Sequence, residues 1–120
     1  MVDFEYFNKE GDGEMEYAVD LEKIAEELDF DLEDVEMLLE VFLEGAKENL
    51  QVLKTAIDSG DMETTFKTAH AIKGSAANLT LKEISEIAKD IELNARKECA
   101  IDYQDRYKKL HLLIDNIEID

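Results

Sequence analysis

Residues 61–81, DMETTFKTAHAIKGSAANLTL, decide the fold. Stepped at about 100° per residue, Met62, Thr65, Ala69, Ile72, Ala76 and Leu79 fall on one side. That is the pattern of an amphipathic helix whose apolar stripe must face a core. Asp61 is placed to cap its first turn. Ser59-Gly60 just before it ends a preceding helix, since glycine suits the left-handed position past a helix end. After it, Thr80-Leu81-Lys82-Glu83 fits a capping box, with Thr80 as N-cap of the next helix and Glu83 reaching back to it.

The same reading extends in both directions. Upstream, Val35, Leu38, Leu39, Phe42, Ala46, Leu50, Leu53 and Ile57 recur at steps of three and four, a long helix capped by Asp31 with Glu33 and Asp34 in its first turn. A short helix starting at Asp20 carries Leu21, Ile24, Ala25 and Leu28 and ends near Asp29-Phe30. Downstream, a fourth helix buries Ile84, Ile87, Ala88, Ile91 and Ala95. A break around Ala100-Ile101 leads to a last helix capped by Asp102, with Tyr103, Tyr107, Leu110, Ile114 and Ile117 on its apolar side. Short connections make consecutive helices antiparallel neighbours. The expected fold is all-α: an antiparallel up-down four-helix bundle with a short extra N-terminal helix, over residues 20–120. Residues 1–19 stand apart as an N-terminal arm. Val2, Phe4 and Tyr6, then Met15, Tyr17 and Val19, alternate with other residues around a stretch containing Gly11 and Gly13. That permits a short hairpin, with a loosely ordered arm as the other reading.

Composition agrees with one helical domain. The chain has 120 residues, no proline and only five glycines, too few breakers for a many-turned β fold. A formal charge of −18 disfavours nucleic acid and anionic membrane surfaces as partners. No run approaches the ~18 apolar residues of a membrane span, and the N-terminus is acidic, unlike a signal sequence. Cys99 is alone, so neither an internal disulfide nor a multi-cysteine metal site is expected. A cytoplasmic monomer is the expectation. The Met1 start and the short tail after the last helix favour a free-standing protein over a piece of a hybrid kinase.

The chemistry concentrates on the helix quoted first. His70 lies well away from its apolar stripe, on a face with Phe66, Lys67, Lys73, Gly74 and Ala77. Gly74, one turn past His70, costs a helix about 0.5–1 kcal/mol relative to alanine. Together with Ala77 it leaves space in which a large partner can reach the imidazole. Residues 62–81 carry only Glu63, Lys67 and Lys73 as charges, so this helix is slightly basic within a very acidic chain. A lone helical histidine is ordinarily a surface or core residue, an internal glycine is often a packing contact, and lysines are usually just solvated. Their coincidence on one face points elsewhere. Histidine ordinarily titrates near ~6.5, so an exposed ring is mostly neutral and nucleophilic near neutral pH. It can attack a phosphoryl group and hold it as a phosphoramidate, with Lys73 offsetting the added charge.

The string His70-Ala71-Ile72-Lys73-Gly74-Ser75-Ala76-Ala77-Asn78-Leu79 resembles the signature of histidine-containing phosphotransfer (HPt) domains, His-x-x-Lys-Gly-Ser-(Ala/Ser)-x-x-Leu. The resemblance spans roughly residues 20–118, because that family is built as the same antiparallel bundle. It implies that His70 is the phosphoacceptor, that Lys73 stabilises the phosphoryl group and that Gly74 admits the partner. The family commonly has Glu or Gln twenty-two residues beyond the histidine, bonding its other ring nitrogen, and Glu92 occupies that position. Read from periodicity alone, Glu92 is a solvated acid beside Ile91. Arg96 matches a basic position of some members. Phe66, Lys67, Gly74, Ala77 and Arg96 are thus the expected partner contacts. The chain departs from the family at Thr80, where glycine is frequent, and the expected Thr80 N-cap keeps the turn by other chemistry.

The resemblance implies a two-component phosphorelay intermediate, taking a phosphoryl group from a receiver aspartate or a sensor histidine kinase and passing it to a receiver aspartate. Mg²⁺ would come from the receiver, with no cofactor or metal held by this chain. The alternative is a non-catalytic helical adaptor that docks receivers without transfer. No Gly-rich phosphate loop is present, so autonomous ATP-dependent kinase activity is not expected and the chain reads as a phosphocarrier. Residues 8–19 imitate a calcium loop but end on Val19 where a bidentate Glu belongs. The paired Glu-x-x-His motifs of a di-iron bundle are missing, since Lys67 and Lys108 precede His70 and His111 at that spacing. His111 reads as a surface or half-buried helix residue.

Overall fold

The computed structural model describes residues 17–119, with side chains from 20 to 117. Five helices follow one another: α1 (Leu21–Leu28), α2 (Leu32–Ser59), α3 (Met62–Asn78), α4 (Lys82–Arg96) and α5 (Tyr103–Asp115). Two short strands, β1 (Tyr17–Val19) and β2 (Ile117–Ile119), pair in parallel, Tyr17 opposite Ile117 and Val19 opposite Ile119. The fold is helical, as the periodicity requires, with this brief ribbon added where the two ends of the described chain meet. The expected hairpin within residues 1–19 lies mostly outside the described residues, and residues 17–19 pair with the C-terminal strand.

α3 packs most extensively on α4 and next on α2, while α5 contacts both α4 and α2, and α1 lies against α2. The interior holds Val35, Leu39, Leu53, Ile72, Ile84, Ile91, Leu110 and Ile114, all essentially inaccessible. Each such side chain contributes about 1.5–3 kcal/mol by leaving water. Thr65 is buried among them without penalty, because its hydroxyl donates to the Asp61 carbonyl at 2.8 Å.

Three helices begin as the sequence indicates. Asp20, Asp61 and Asp102 accept from the backbone N–H of Lys23 (3.1 Å), Thr64 (3.1 Å) and Asp105 (2.9 Å). Asp31 occupies the N-cap of α2 but makes no side-chain capping bond, so Glu33 and Asp34 supply the charge that suits that end.

The helix stops follow one rule that the residue types conceal. α1 to α4 each lead into a left-handed residue: Asp29 (φ 58°), Gly60 (φ 73°), Thr80 (φ 57°) and Glu98 (φ 54°). In each case the next N–H bonds back to the carbonyl five residues earlier: Phe30 to Ala25, Asp61 to Ala56, Leu81 to Ala76 and Cys99 to Asn94, all at 2.9 Å. This is the Schellman closure, which satisfies carbonyls left open at a helix end.

Thr80 is therefore not an N-cap, and the expected capping box does not form. Leu81 holds the N-cap position of α4. Leu79 and Leu81 are both buried, and a chain reversing between them forces Thr80 into the conformation that glycine adopts freely. Two further expectations are corrected. Leu38 belongs to the predicted α2 stripe yet is 40% exposed. It lies in the first turns of α2, where it lines an open groove with Phe30 of the α1–α2 turn and Ser75 and Asn78 of α3 instead of packing into the core. Ile117 is not on the last helix, because α5 ends at Asp115 and Ile117 opens β2.

The strain at Thr80 is measurable. Replacing a left-handed threonine by glycine removes about 1–2 kcal/mol of steric cost against roughly 0.5–1 kcal/mol of added chain entropy. Thr80→Gly is expected to raise the urea midpoint, by about 0.5 kcal/mol of stability, and Gly60→Ala to lower it by about 1 kcal/mol. A Thr80→Gly midpoint below the parent's would contradict the assigned turn.

Candidate functional site

α3 turns Thr65, Ala69, Ile72 and Ala76 inward, which leaves His70 outward with its side chain 63% exposed. Beneath it runs α4. Ala69 and Ala76 on α3, and Ala88 and Ala95 on α4, are small and buried, and small residues allow helices to approach closely. Glu92, on α4, is only 5% exposed. Its Oε2 lies 2.6 Å from His70 Nδ1 and its Oε1 lies 2.8 Å from Lys73 Nζ. Oε1 is fully buried and is held by the lysine's charge, with no well-directed hydrogen bond.

One carboxylate thus joins the histidine and the lysine one turn apart on the neighbouring helix. Burial opposes the charge on Glu92, but Lys73 and the bond to His70 outweigh it and hold the carboxyl below its ordinary value. An ionised carboxylate can only accept, so Nδ1 carries the ring proton and donates it to Oε2. In the neutral ring Nε2 then keeps its lone pair free, on an imidazole that stands mostly in solvent.

The surroundings are open. A Cβ built on Gly74 meets nothing within 4 Å, so no packing among the described residues explains this glycine. Ala71 and Ala77 are exposed. Phe66 lies one turn before His70, ring centroids 6.3 Å apart and tilted by 35°. Phe66 and Arg96 line a surface recess of about 450 Å³ with Met62 and Glu98. Lys67 pairs with Glu63 at 3.1 Å across an exposed turn. The structure brings His70 and Lys73 each into contact with Glu92, with Phe66 and Gly74 close by on α3. Arg96 is exposed at the end of α4, in the recess that Phe66 borders.

A comparison with known families matches residues 37–119 to the Hpt domain. The chain belongs to the Hpt domain family. The match takes in α3, α4 and α5, and most of α2. Neither the curated proteins nor the solved structures yield a match. An Hpt domain works in two-component phosphorelay signalling, in exchange with receiver domains or kinases. No described helix of this Hpt chain is long and apolar enough to cross a membrane. Among the described residues no group of three or more His, Cys, Asp or Glu could hold a metal ion.

Sequence reasoning missed two features. Ser85 Oγ donates to the Lys73 carbonyl at 3.3 Å, a short tie between α4 and the turn below the lysine. Lys73 is itself engaged by Glu92 and only 29% exposed, a contact that the spacing of the sequence did not indicate. His111 is half-buried, stacked on Tyr107 at 5.7 Å and 3.3 Å from Asp115, apart from this site.

The lowered Glu92 carboxyl fixes a pH signature. Its folded value lies below the unfolded one, so its contribution is present above the unfolded value and is lost as pH falls through the folded one. Glu92→Gln is therefore expected to flatten the fall in stability on the acid side of about pH 4.5. Chemical denaturation from pH 3 to 7 checks this. Parallel profiles for parent and variant would contradict the assigned ion contacts.

Proposed function

We propose that this chain is a phosphorelay intermediate that accepts a phosphoryl group on His70 Nε2 from a receiver aspartate, or from a sensor kinase, and passes it to a receiver aspartate. The observation that carries this reading is the 2.6 Å contact between Nδ1 and a buried carboxylate, on a ring whose other edge is open.

In the transfer step the Nε2 lone pair attacks phosphorus as the aspartyl O–P bond breaks, and the aspartate leaves as carboxylate. Nδ1 keeps its proton, so the ring becomes cationic, and Glu92 beside it offsets that charge. Lys73, 2.8 Å from the same carboxylate, is near enough in sequence and space to bear on the added phosphoryl oxygens. The reverse step returns the group to another receiver. Mg²⁺ would come with the receiver and would offset charge on the phosphoryl group there. Phe66, Lys67, Gly74, Ala77 and Arg96 form the contact surface around the ring. The supporting scaffold is α2 to α5 as an antiparallel up-down four-helix bundle, a reading favoured by the short turns and by contacts of α3 with α2 and α4 and of α5 with both. Within this reading the chain is a phosphocarrier that acts as a monomer in the cytoplasm.

Two experiments test the reading. Incubation with a phosphorylated receiver and Mg²⁺ is expected to give acid-labile, alkali-stable label on the parent and none on His70→Gln. Equal labelling of that variant would remove His70 as the acceptor, and binding without any transfer would make the chain a docking adaptor. Gly74→Gln separates access from folding. It is expected to raise helix stability by about 0.5–1 kcal/mol while slowing receiver transfer at least tenfold, measured by urea unfolding and label transfer on one preparation.

A further inference from the structure

α3 and α4 pack on each other more extensively than any other pair, yet the surface between them offers little grip. Its buried small residues are Ala69 and Ala76 on α3 and Ala88 and Ala95 on α4, all at most 2% exposed. Alanines raise only low ridges, so they resist sliding along the helix axis weakly. The larger Ile84 and Ile91 lie about 80–100° around α4 from Glu92, toward the core. The site itself is sensitive to sliding. Glu92 reaches His70 Nδ1 at 2.6 Å, and a displacement of ~1 Å would take that bond out of range. Lys73 cannot supply the alignment. Its Nζ is 2.8 Å from Glu92 Oε1, but Oε1 has no well-directed hydrogen bond, and both side chains are long and flexible. The register must be set elsewhere.

Ser85 is placed to set it. It stands seven residues before Glu92, two turns away along nearly the same line of α4. Its Oγ donates to the Lys73 carbonyl at 3.3 Å. A helical hydroxyl commonly bonds back to its own helix. Thr55, Ser59 and Thr65 do so, on the carbonyls of Gln51, Ala56 and Asp61. Ser85 crosses to the neighbouring helix instead. The carbonyl it reaches belongs to the peptide bond between Lys73 and Gly74. Glycine loosens a helix, and a Cβ built on Gly74 would find nothing within 4 Å to steady it. The tie from α4 therefore falls where α3 is weakest. Lys73 is gripped twice by α4, at its carbonyl by Ser85 and at its ammonium by Glu92.

Resting on the phosphorelay reading, we propose that Ser85 is a positioning residue for phosphoryl transfer. Its bond to the Lys73 carbonyl sets the α3–α4 register that puts the Glu92 carboxylate on His70 Nδ1. Ser85 touches none of the reacting atoms and acts through Glu92. The same bond holds the Lys73 main chain in place when its ammonium turns toward the added phosphoryl oxygens.

The test reads the ring and the reaction separately, on the whole chain as parent, Ser85→Ala and Ser85→Thr. Phosphoramidate is one donor: Nε2 attacks its phosphorus, the donor's P–N bond breaks and ammonia leaves. A phosphorylated receiver with Mg²⁺ is the other. Alanine suits a helix, so Ser85→Ala is expected to fold, which urea unfolding on the same preparation checks. It is expected to move part of the ring proton from Nδ1 to Nε2, seen by ¹⁵N NMR at neutral pH. Labelling by either donor is expected to slow about three- to tenfold. With the receiver the loss falls on kcat and leaves KM near the parent's, because Ser85 is not among the contacts around the ring. Ser85→Thr keeps the hydroxyl and is expected to restore both readings. An alanine variant with the parent's nitrogen shifts and labelling rates would overturn the proposal while leaving His70 as acceptor. A threonine variant as impaired as the alanine one would also overturn it, since the hydroxyl would then not be the cause. A parent labelled by neither donor would overturn the phosphorelay reading and, with it, any role for Ser85 in transfer.

Discussion

A buried carboxylate shared between a histidine and a lysine is the constraint on which the rest of the site depends. Glu92 is almost wholly withdrawn from water, a costly position for a charge unless partners compensate it. The compensation comes from α3, through His70 at 2.6 Å and Lys73 at 2.8 Å. Replacing such a group with a well-packed apolar residue often costs a protein no stability, so the arrangement is better understood as orientation than as glue. It fixes the tautomer of the ring, holds its plane and keeps a cation in reserve beside it.

That arrangement needs α3 and α4 close together and the outer side of α3 bare. The sequence meets both needs with small residues on different faces of one helix. Ala69 and Ala76 are buried toward the interior, whereas Ala71, Gly74 and Ala77 leave the surface around His70 low. The cost to α3 itself is a glycine within its length and a narrow apolar stripe. Burial of Ile72, and of Ile84 and Ile91 on the adjacent helix, offsets it. In the proposed reading, local helix stability is traded for access at the place where the receiver approaches.

Much of this was legible in the sequence, for identifiable reasons. Apolar spacing located all five helices and the exposure of His70, because a period of 3.6 directly reports which side faces a core. Gly60 announced its turn by its residue type. Asp29, Thr80 and Glu98 make the same left-handed turn with no such sign. At Thr80 the conformation is dictated by buried leucines on either side, a tertiary demand that local propensity does not encode. Leu38 was misjudged for a related reason: periodicity shows which side of α2 is apolar but not where its neighbours leave a groove open along it. Glu92 stood between a solvated acid and a partner of the histidine. One sign was present, since it falls four residues after Ala88 and three before Ala95, along the edge of the buried stripe of α4. The Lys73 contact had no sign in the sequence, because the reach of a flexible side chain depends on the separation of two helices.

The central claim, that Glu92 holds the ring proton on Nδ1 and leaves Nε2 free, is tested most directly by ¹⁵N NMR of the His70 imidazole at neutral pH, with phosphoramidate added afterwards. Free histidine prefers its proton on Nε2, so the site must reverse an intrinsic preference. The account requires a protonated Nδ1 and a pyridine-like Nε2 before the donor is added, and ³¹P–¹⁵N coupling at Nε2 after it. A proton resting on Nε2, or coupling to Nδ1, would contradict it.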